Sequence, residues 1–312
     1  MNGTSMSEPS EIIRQVNFFL VGAPKCGTTA MHRYLSNHPD VFMPEIKEIN
    51  YFGSDLIYNL SYSVSKHEYE AFFAPAGPEQ CLGESSVMYL YSQTAASEIY
   101  EYNPNAKILI MLRDPVETMY SHHSQLISTA DEDILDFETA LEAEERRREG
   151  LDVPKLNLIM DYLFYREIVQ FTKQVRRYIE IFGRERVHVI IFDDFKNDTA
   201  SCYREVLKFL DLDTDHKPDF ERVNANKQIR WTGLRDFIKS PPALVREPVR
   251  RLTPLSLRRR MREVLKNLNS RETKRPQMGR DLQMNLKNEF RAEVNSLGNL
   301  LGLDLTYWSR ID

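Results

Sequence analysis

Residues 18–35 read FFLVGAPKCGTTAMHRYL, and this stretch decides the fold. The apolar run over residues 16–22 ends in glycine and predicts a buried parallel strand. The residues after it have the pattern of a helix that ends before Pro39. Between strand and helix, Gly22 and Gly27 have the G-x-x-x-x-G spacing of a loop that binds phosphate through its backbone N–H groups.

This loop differs from a nucleoside-triphosphate loop in the position of its lysine. In the Walker loop a Lys follows the second Gly and reaches the β- and γ-phosphates, and the next Ser or Thr holds Mg²⁺. Here Thr28 and Thr29 follow Gly27, and Lys25 lies inside the loop. Loop N–H groups, two hydroxyls and one ammonium suit a short anionic group, such as a 5′-phosphate with one substituent, better than Mg-triphosphate.

Further strands are predicted along the first two-thirds of the chain. AKILIMLRDP at 106–115 is the clearest, RVHVIIFDDF at 186–195 is another buried strand, and DVFMP at 40–44 is a short one. The segment GESSVMYLY at 83–91 fits a strand or a loop. Because helical segments lie between the strands, we predict a three-layer α/β fold with a central parallel sheet flanked by helices. Ligands of such folds bind at the carboxyl ends of the strands.

Three helical segments account for much of the remaining pattern. Residues 116–128 follow the RDP sequence, and residues 160–183 are interpreted as one long amphipathic helix. Residues 131–149 are first acidic and then basic, which indicates a helix surface exposed to solvent.

The composition is that of an ordinary globular protein. Of the 312 residues, 42% are hydrophobic and 28% are charged, and the net charge is −5. This charge does not favour nucleic acid as a partner, so an anion site has to be a local cluster of cations. No apolar run approaches the ~20 residues of a membrane span. The three cysteines, Cys26, Cys81 and Cys202, lack metal-ligand spacing and favour a reducing compartment.

We therefore expect a cytoplasmic protein, or a soluble catalytic fragment of a larger one. Residues 1–15 are polar and predict a flexible N-terminus. Because no internal repeat or long linker divides residues 16–312, we interpret them as a single domain. The sequence gives no indication of the oligomeric state.

The phosphate loop resembles that of a known family, the sulfotransferases that use PAPS (3′-phosphoadenosine 5′-phosphosulfate). The 5′-phosphosulfate loop of that family has the pattern Pro-Lys-x-Gly-Thr-Thr. All of its fixed positions are present here, at Pro24, Lys25, Gly27, Thr28 and Thr29.

A second motif resembles the 3′-phosphate site of the same family, in which a strand precedes Arg-x-Pro and a later serine. LIMLRDPVETMYSHH supplies Arg113, Pro115 and Ser121 at those places. The planar guanidinium of Arg113 suits a phosphate, and Ser121 follows two helical turns later. The resemblance covers roughly residues 16–310 and is closest to the glycan or heparan type and the bacterial branch.

The resemblance implies an enzyme that transfers the sulfuryl group of PAPS to an acceptor. The acceptor group is a hydroxyl, with an amine as the alternative, of a glycan or a small molecule. PAPS is the cosubstrate and PAP the product, and the chemistry requires no metal. Lys25 stabilises charge on the transferred group, the N–H groups of Cys26, Gly27, Thr28 and Thr29 bind the 5′ end, and Arg113 and Ser121 bind the 3′-phosphate.

The resemblance also implies Glu48 as the general base that takes the acceptor proton. The glycan-sulfating branch has a Glu followed by x-x-aromatic-Phe, which Glu48, Tyr51 and Phe52 match. Tyr51 is in addition a candidate contact for the acceptor. Many members have a His two residues after this Glu, where the present chain has Asn50, so that a role for such a His is in doubt.

Other residues are alternatives for the base. Glu84 lies where the family often has Gly-Glu-x-Ser/Thr-Pro-x-Tyr, and it is expected to hold the loop lysine, to contact the acceptor or to be the base. The small-molecule branch uses a His base. We interpret His122 and His123 as helix packing and His32 as a partly buried structural residue.

The region 241–275 is strongly basic, with eleven Lys or Arg and three Glu. Its end, with RETKRPQMGRD at 271–281, resembles a late loop of the family that closes over the nucleotide, which implies phosphate contacts from Lys274 and Arg275. The arginines between 246 and 262 either line an acceptor groove for an acidic glycan or belong to a solvated amphipathic helix.

Two functions of other classes stay open from the residues alone. A P-loop kinase or NTPase is the first. VIIFDD gives it some support, but no Lys follows Gly27 and a convincing Walker-B aspartate is lacking. A member that binds nucleotide without turnover is the second, and the presence of both Lys25 and Glu48 argues against it.

Overall fold

Five parallel strands form the central sheet. They are β1 (Phe18–Gly22), β2 (Val41–Phe42), β3 (Cys81–Ser85), β4 (Lys107–Leu112) and β5 (Val187–Ile191). Their order across the sheet is β2-β3-β1-β4-β5, so that β1 lies between β3 and β4. The computed structural model describes residues 14–56, 64–78, 80–220, 227–242, 253, 264–265, 268–272 and 275–310. The predicted α/β fold with a parallel central sheet is confirmed.

The apolar sequence of β1 explains its place in the middle of the sheet. Its residues from Phe18 to Val21 have no exposed surface, as expected for a strand covered on both faces. Phe18 lies opposite Gly83 of β3 and Lys107 of β4. A Cβ atom at position 83 would lie 2.1 Å from Cζ of Phe18, so only glycine fits beside the ring.

The described helices flank this sheet and follow the strands along the chain. They are α1 (Thr28–Ser36), α2 (Lys66–Ala71), α3 (Ala95–Tyr102), α4 (Pro115–Thr129), α5 (Phe137–Glu142), α6 (Glu144–Arg148), α7 (Tyr165–Ile168), α8 (Phe171–Phe182), α9 (Phe192–Asn197), α10 (Thr199–Phe209), α11 (Thr232–Lys239), α12 (Arg280–Glu289) and α13 (Arg291–Leu301). None of them is long and apolar enough to cross a membrane.

Aromatic side chains join the helices on each face of the sheet. On one face Tyr203 of α10 donates a hydrogen bond to the carbonyl of Tyr34 in α1, at 3.3 Å. On the other face the rings of Tyr100 in α3 and Phe182 in α8 lie 5.5 Å apart. Two further strands, β6 (Lys227–Ile229) and β7 (Ser270–Glu272), form a separate antiparallel pair.

The long helix predicted over residues 160–183 is wrong. The chain forms a 3₁₀ turn at Met160–Leu163, the short helix α7 and then α8. The Gln174 side-chain amide donates to the carbonyls of Glu167 and Ile168, at 3.0 and 3.2 Å. These bonds satisfy carbonyls at the end of α7 that a continuous helix would have used, and they stabilise the break.

The interpretation of residues 131–149 as a solvent-exposed helix surface holds for most of their charged side chains, but Glu132 and Arg147 are among the exceptions. Arg147 of α6 has no exposed surface and donates to Glu132, which is equally buried, at 2.7 Å. The second carboxylate oxygen of Glu132 accepts from the hydroxyl of Tyr165 at 2.6 Å. Glu132 and Arg147 therefore form a buried, hydrogen-bonded ion pair beneath α4, which a charge pattern alone does not distinguish from an exposed pair.

Replacing Arg147 by methionine leaves the Glu132 carboxylate buried without its cation. We expect the Arg147→Met variant to lose about 3–5 kcal/mol of the free energy of unfolding. Urea unfolding followed by circular dichroism measures the loss. The adjacent Arg146→Met variant is the control, because Arg146 forms an exposed ion pair with Asp152, and the loss of such a pair changes stability little. Equal losses in the two variants would contradict the structural role of the buried pair.

Candidate active site

A cleft of about 610 Å³ opens at the carboxyl end of the central strands. The loop after β1, Arg113 after β4, the second half of α4, the turn after β3 and the start of α9 after β5 all border it. In the sheet order, the chain leads from β1 toward β2 on one side and from β4 to β5 on the other. The crevice beside β1, where the direction of these connections reverses, is where α/β folds bind ligands. The wall includes Lys25, Gly27, Thr28, Thr29, Lys47, Glu48, Val87, Arg113, Ser121, His122, Gln125, Tyr162, Phe192 and Arg275.

The loop between β1 and α1 has an unusual backbone. Lys25 and Gly27 both have positive φ, of 66° and 92°. A Cβ at position 27 would lie 3.1 Å from Phe192 and 3.2 Å from Met111, so glycine is required by conformation and by space. The N–H of Ala23 donates to the carbonyl of Met111 at 2.7 Å and fixes the loop to β4.

This loop presents backbone donors to the cleft. The Gly27 carbonyl accepts the N–H groups of Ala30 and Met31, at 3.0 and 3.2 Å, which begins α1. Within the described residues, the N–H groups of Gly27, Thr28 and Thr29 have no backbone acceptor. Unpaired N–H groups at the start of a helix are the typical anion site of such loops.

Lys25 places its ammonium in the cleft. Its Nζ atom donates to Oε1 of Gln125 on α4, at 3.1 Å. Burial, together with the charges of Arg275 and Arg113, lowers the pKa of Lys25 to about 8. A bound anion would offset both effects, because it supplies the opposite charge that the free cleft lacks.

Arg113 follows β4 and extends along the cleft wall. Its Nη2 atom lies 3.1 Å from a carboxylate oxygen of Glu117, one helical turn further along α4. Its Cζ atom lies 5.0 Å from the centre of the Phe192 ring, in a cation–π contact. The guanidinium is therefore held beside the loop.

Ser121 and Arg275 meet at the same end of the cleft, although they are far apart in sequence. Nη2 of Arg275 donates to Oγ of Ser121 at 2.8 Å, and the guanidinium lies 5.2 Å from the ring of Tyr120. Nε of Arg275 is buried, and within the described residues it has no partner. Such a donor fits an anionic ligand. Lys274, which was predicted together with Arg275, lies outside the described residues.

Glu48 lies opposite the loop and is held by the turn after β3. Its backbone has a φ of 61°, and its N–H donates to the carbonyl of Ser85 at 2.9 Å. One carboxylate oxygen accepts the N–H of Val87 at 2.9 Å, and the other lies 2.6 Å from Nζ of Lys47. Both oxygens are thus oriented while the carboxylate remains at the cleft.

Glu84 and Tyr51, the other two candidates from this region, lie behind Glu48. In the described part of the chain neither residue lines the cleft. Glu84 is buried and accepts hydrogen bonds from Ser86 at 2.5 Å and from Tyr69 at 3.3 Å. Burial raises the pKa of this carboxyl to about 7. The ring of Tyr51 stacks on that of Tyr69 at 4.3 Å.

The side chain of Cys26 is buried away from the cleft, whereas that of His122 lines it. The Cys26 thiol is buried at 3.7 Å from the Thr118 hydroxyl, and burial raises its pKa to about 12. The Cys26 N–H, which was expected to bind the 5′ end, donates to the carbonyl of Ala23 at 3.4 Å, and Cys26 is not among the residues that line the cleft. His122 lines the cleft, which the sequence did not predict, and its Nε2 lies 3.1 Å from the carbonyl of Tyr162. Burial lowers the pKa of His122 to about 3 and that of His32 to about 4.

Sequence reasoning missed Lys47, Gln125 and Phe192. Phe192 directly follows β5, so the rule that ligands bind at carboxyl ends of strands would have found it. Gln125 lies one helical turn after Ser121 and therefore on the same side of α4. The sequence shows Lys47 only as a neighbour of Glu48 and gives no sign that its ammonium also reaches Thr28.

Comparison with known proteins identifies relatives of the chain. A family model described as the sulfotransferase domain matches residues 15–230. This range contains the loop, Glu48, Arg113 and Ser121, whereas Arg275 lies beyond it.

Several curated proteins are similar over part of their length. Carbohydrate sulfotransferase 15 of Rattus norvegicus is 23% identical over 252 residues, which cover 63% of this chain and 44% of that protein. Heparan sulfate glucosamine 3-O-sulfotransferase 5 of Homo sapiens is 25% identical over 201 residues, covering 62% and 52%. Membrane-associated sulfotransferase kil1 of Dictyostelium discoideum is 30% identical over 107 residues, covering 34% and 22%. The chain thus spans at most about half the length of these relatives.

One solved structure matches nearly the whole chain. The sulfotransferase from Alicyclobacillus acidocaldarius superimposes with a TM-score of 0.71 at 28% identity, covering 95% of this chain and all of that one. The fold described above is therefore that of a sulfotransferase.

The lowered pKa of Lys25 predicts how anion binding depends on pH. The ammonium is charged below about pH 8 and neutral above it. We expect the affinity for PAP to fall about tenfold between pH 7 and pH 9, since arginines stay charged over this range. Calorimetric titration at both pH values measures the fall.

Two variants control this experiment. Lys25→Met is expected to bind PAP more weakly at pH 7 and to lose the pH dependence. Lys173→Met, which removes an exposed lysine of α8, is expected to behave as the wild type. A wild-type affinity that is the same at pH 7 and pH 9 would contradict the assignment of Lys25.

Proposed function

The chain belongs to the sulfotransferase domain family, and we propose that it transfers the sulfuryl group of PAPS to a hydroxyl group of its acceptor. An amine acceptor is the alternative. The main support is the convergence of three cations, Lys25, Arg113 and Arg275, on one end of a cleft whose other wall carries Glu48. In a chain of net charge −5, such a cluster indicates a strongly anionic ligand.

The residues at the donor end fit a nucleotide with phosphates at both its 3′ and 5′ positions. The unpaired N–H groups of Gly27, Thr28 and Thr29 suit the 5′ end, with Lys25 beside them. Arg113, Ser121 and Arg275 suit the 3′-phosphate, and the buried Nε of Arg275 is a donor in need of an acceptor. PAPS supplies the activated sulfuryl group when it is bound.

Glu48 is proposed as the general base. In the reaction the bond from sulfur to the 5′-phosphate oxygen breaks and its electron pair stays on PAP, while a bond from sulfur to the acceptor oxygen forms. The acceptor proton goes to Glu48. Lys25 stabilises the charge that develops on the leaving phosphate. The hydrogen bond from Val87 orients Glu48 toward the cleft and so lowers the entropy lost in reaching the reactive geometry.

The acceptor is proposed to enter between Glu48 and α4. Val87, Leu126 and Tyr162 give this part of the wall an apolar and aromatic character. The names of the curated relatives refer to carbohydrate and heparan sulfate acceptors, and a sugar ring with its apolar face on Tyr162 is consistent with this wall. A second cavity of about 950 Å³ adjoins the cleft at Ser124 and Arg275 and gives room for a longer acceptor.

Nucleotide binding tests the proposed donor. We expect PAP to bind without metal and more tightly than ADP or Mg-ATP, because Arg113 and Arg275 suit the 3′-phosphate that the other two lack. The Arg113→Ala variant is expected to lose at least about tenfold in affinity for PAP. Arg176→Ala, which removes an exposed arginine of α8, should bind as the wild type. Calorimetry that finds Mg-ATP the tighter ligand would instead support a P-loop kinase.

Substitution of Glu48 tests the proposed base. We expect Glu48→Gln to bind PAP normally and to convert PAPS to PAP about 100-fold more slowly or worse, since the amide cannot accept the proton. Conversion is measured by chromatography with enzyme in excess and water as the acceptor. Glu45→Gln, an exposed carboxylate in the same loop, is the control. An unchanged rate in Glu48→Gln would remove Glu48 as the base.

A further inference from the structure

Lys47 contacts both sides of the proposed reaction centre. Its Nζ atom lies 2.6 Å from Oε1 of Glu48 and 3.3 Å from Oγ1 of Thr28. Thr28 belongs to the loop assigned to the donor, and Glu48 is the residue assigned to the acceptor proton. The Lys47 side chain is 18% exposed, so this ammonium lies in the cleft wall rather than in solvent.

The hydrogen bonds of Lys47 leave it able to take another partner. An ammonium has three N–H donors, and Glu48 and Thr28 accept two of them. Among the described residues no other acceptor is recorded for Nζ. Because the Thr28 oxygen accepts from Lys47, the hydroxyl proton of Thr28 remains free to donate toward the loop.

The ammonium groups of Lys47 and Lys25 contact opposite walls of the cleft. The ammonium of Lys25 contacts Gln125 on α4, whereas that of Lys47 contacts Glu48 on the opposite wall. Lys47 is near enough to be among the charges that lower the pKa of Lys25, after burial and the two arginines. The two lysines therefore approach the same space from different sides.

We propose that Lys47 is a second catalytic cation, which binds an oxygen of the sulfuryl group as it moves from donor to acceptor. This assignment rests on the proposed function. As the sulfur–oxygen bond to the 5′-phosphate breaks, Lys25 neutralises the leaving phosphate and Lys47 neutralises the transferred group. When Glu48 takes the acceptor proton it loses its charge, and its ion pair with Lys47 weakens. The released ammonium then binds the sulfate ester more strongly at the moment at which it forms.

Substitution at position 47 tests this assignment. We expect Lys47→Met to convert PAPS to PAP about 100-fold more slowly than the wild type, with enzyme in excess and water as the acceptor. Its affinity for PAP, which carries no sulfuryl group, is expected to stay at the wild-type value. Lys47→Arg keeps the charge and should recover part of the rate. Lys66→Met is the matched control, because Lys66 also pairs with a glutamate, Glu70, but on the exposed surface of α2.

Each result has a separate meaning. A Lys47→Met variant that reacts at the wild-type rate overturns the assignment. A variant whose affinity for PAP falls by the same factor as its rate also overturns it, because Lys47 would then only bind the nucleotide. Thermal unfolding of both Lys47 variants shows whether the chain is folded, and a folded Lys47→Arg variant allows the test even if Lys47→Met is unstable. If the wild type itself fails to bind PAP, the proposed function falls and the role of Lys47 with it.

Discussion

The pairing of β1 with β3 determines the distance between the two halves of the candidate site. The absence of a side chain at Gly83 lets the Phe18 ring lie against β3, which fixes the register of the two strands. β1 continues directly into the loop that carries Lys25. β3 continues into Ser85, whose carbonyl binds the N–H of Glu48. The donor loop and the proposed base are thus held by adjacent strands, which makes their separation a property of the sheet rather than of flexible loops.

Burial of charge is the second constraint on this molecule, and it acts differently in two places. The pair Arg147–Glu132 is complete in itself, with opposite charges 2.7 Å apart and no exposed surface. Two cations of the cleft differ from this pair, since Lys25 contacts a neutral amide and Arg275 a hydroxyl, whereas Arg113 and Lys47 each contact a glutamate. A cluster of like charges is unfavourable in an empty cleft, and this unfavourable energy is relieved when an anion binds.

The extent to which the sequence predicts the site depends on how local its determinants are. The loop with Lys25 and Gly27 and the segment with Arg113 and Ser121 are each short. The spacing of the loop indicated anion binding, and the second segment was predicted as a phosphate site through its resemblance to a family motif. The breaks between residues 160 and 183 depend on side chains that meet only after folding, and the helix predicted from the sequence there is wrong. The burial of Glu84 depends on such contacts too, so the sequence left its role open. The same holds for Lys47, whose contact with Thr28 joins residues of two different loops.

The contact between Arg275 and Ser121 has a consequence for how the chain becomes functional during its synthesis. All five strands of the sheet, the loop and Glu48 lie within the first 230 residues, which is also the range matched by the family model. Arg275 lies 45 residues beyond this range and 154 residues after Ser121, the residue that it contacts. It completes the set of cations in the cleft. A growing chain therefore contains all five strands, the loop and Glu48 before Arg275 can join the cleft. The full cluster of cations at this end of the cleft therefore exists only once Arg275 has been added to the chain.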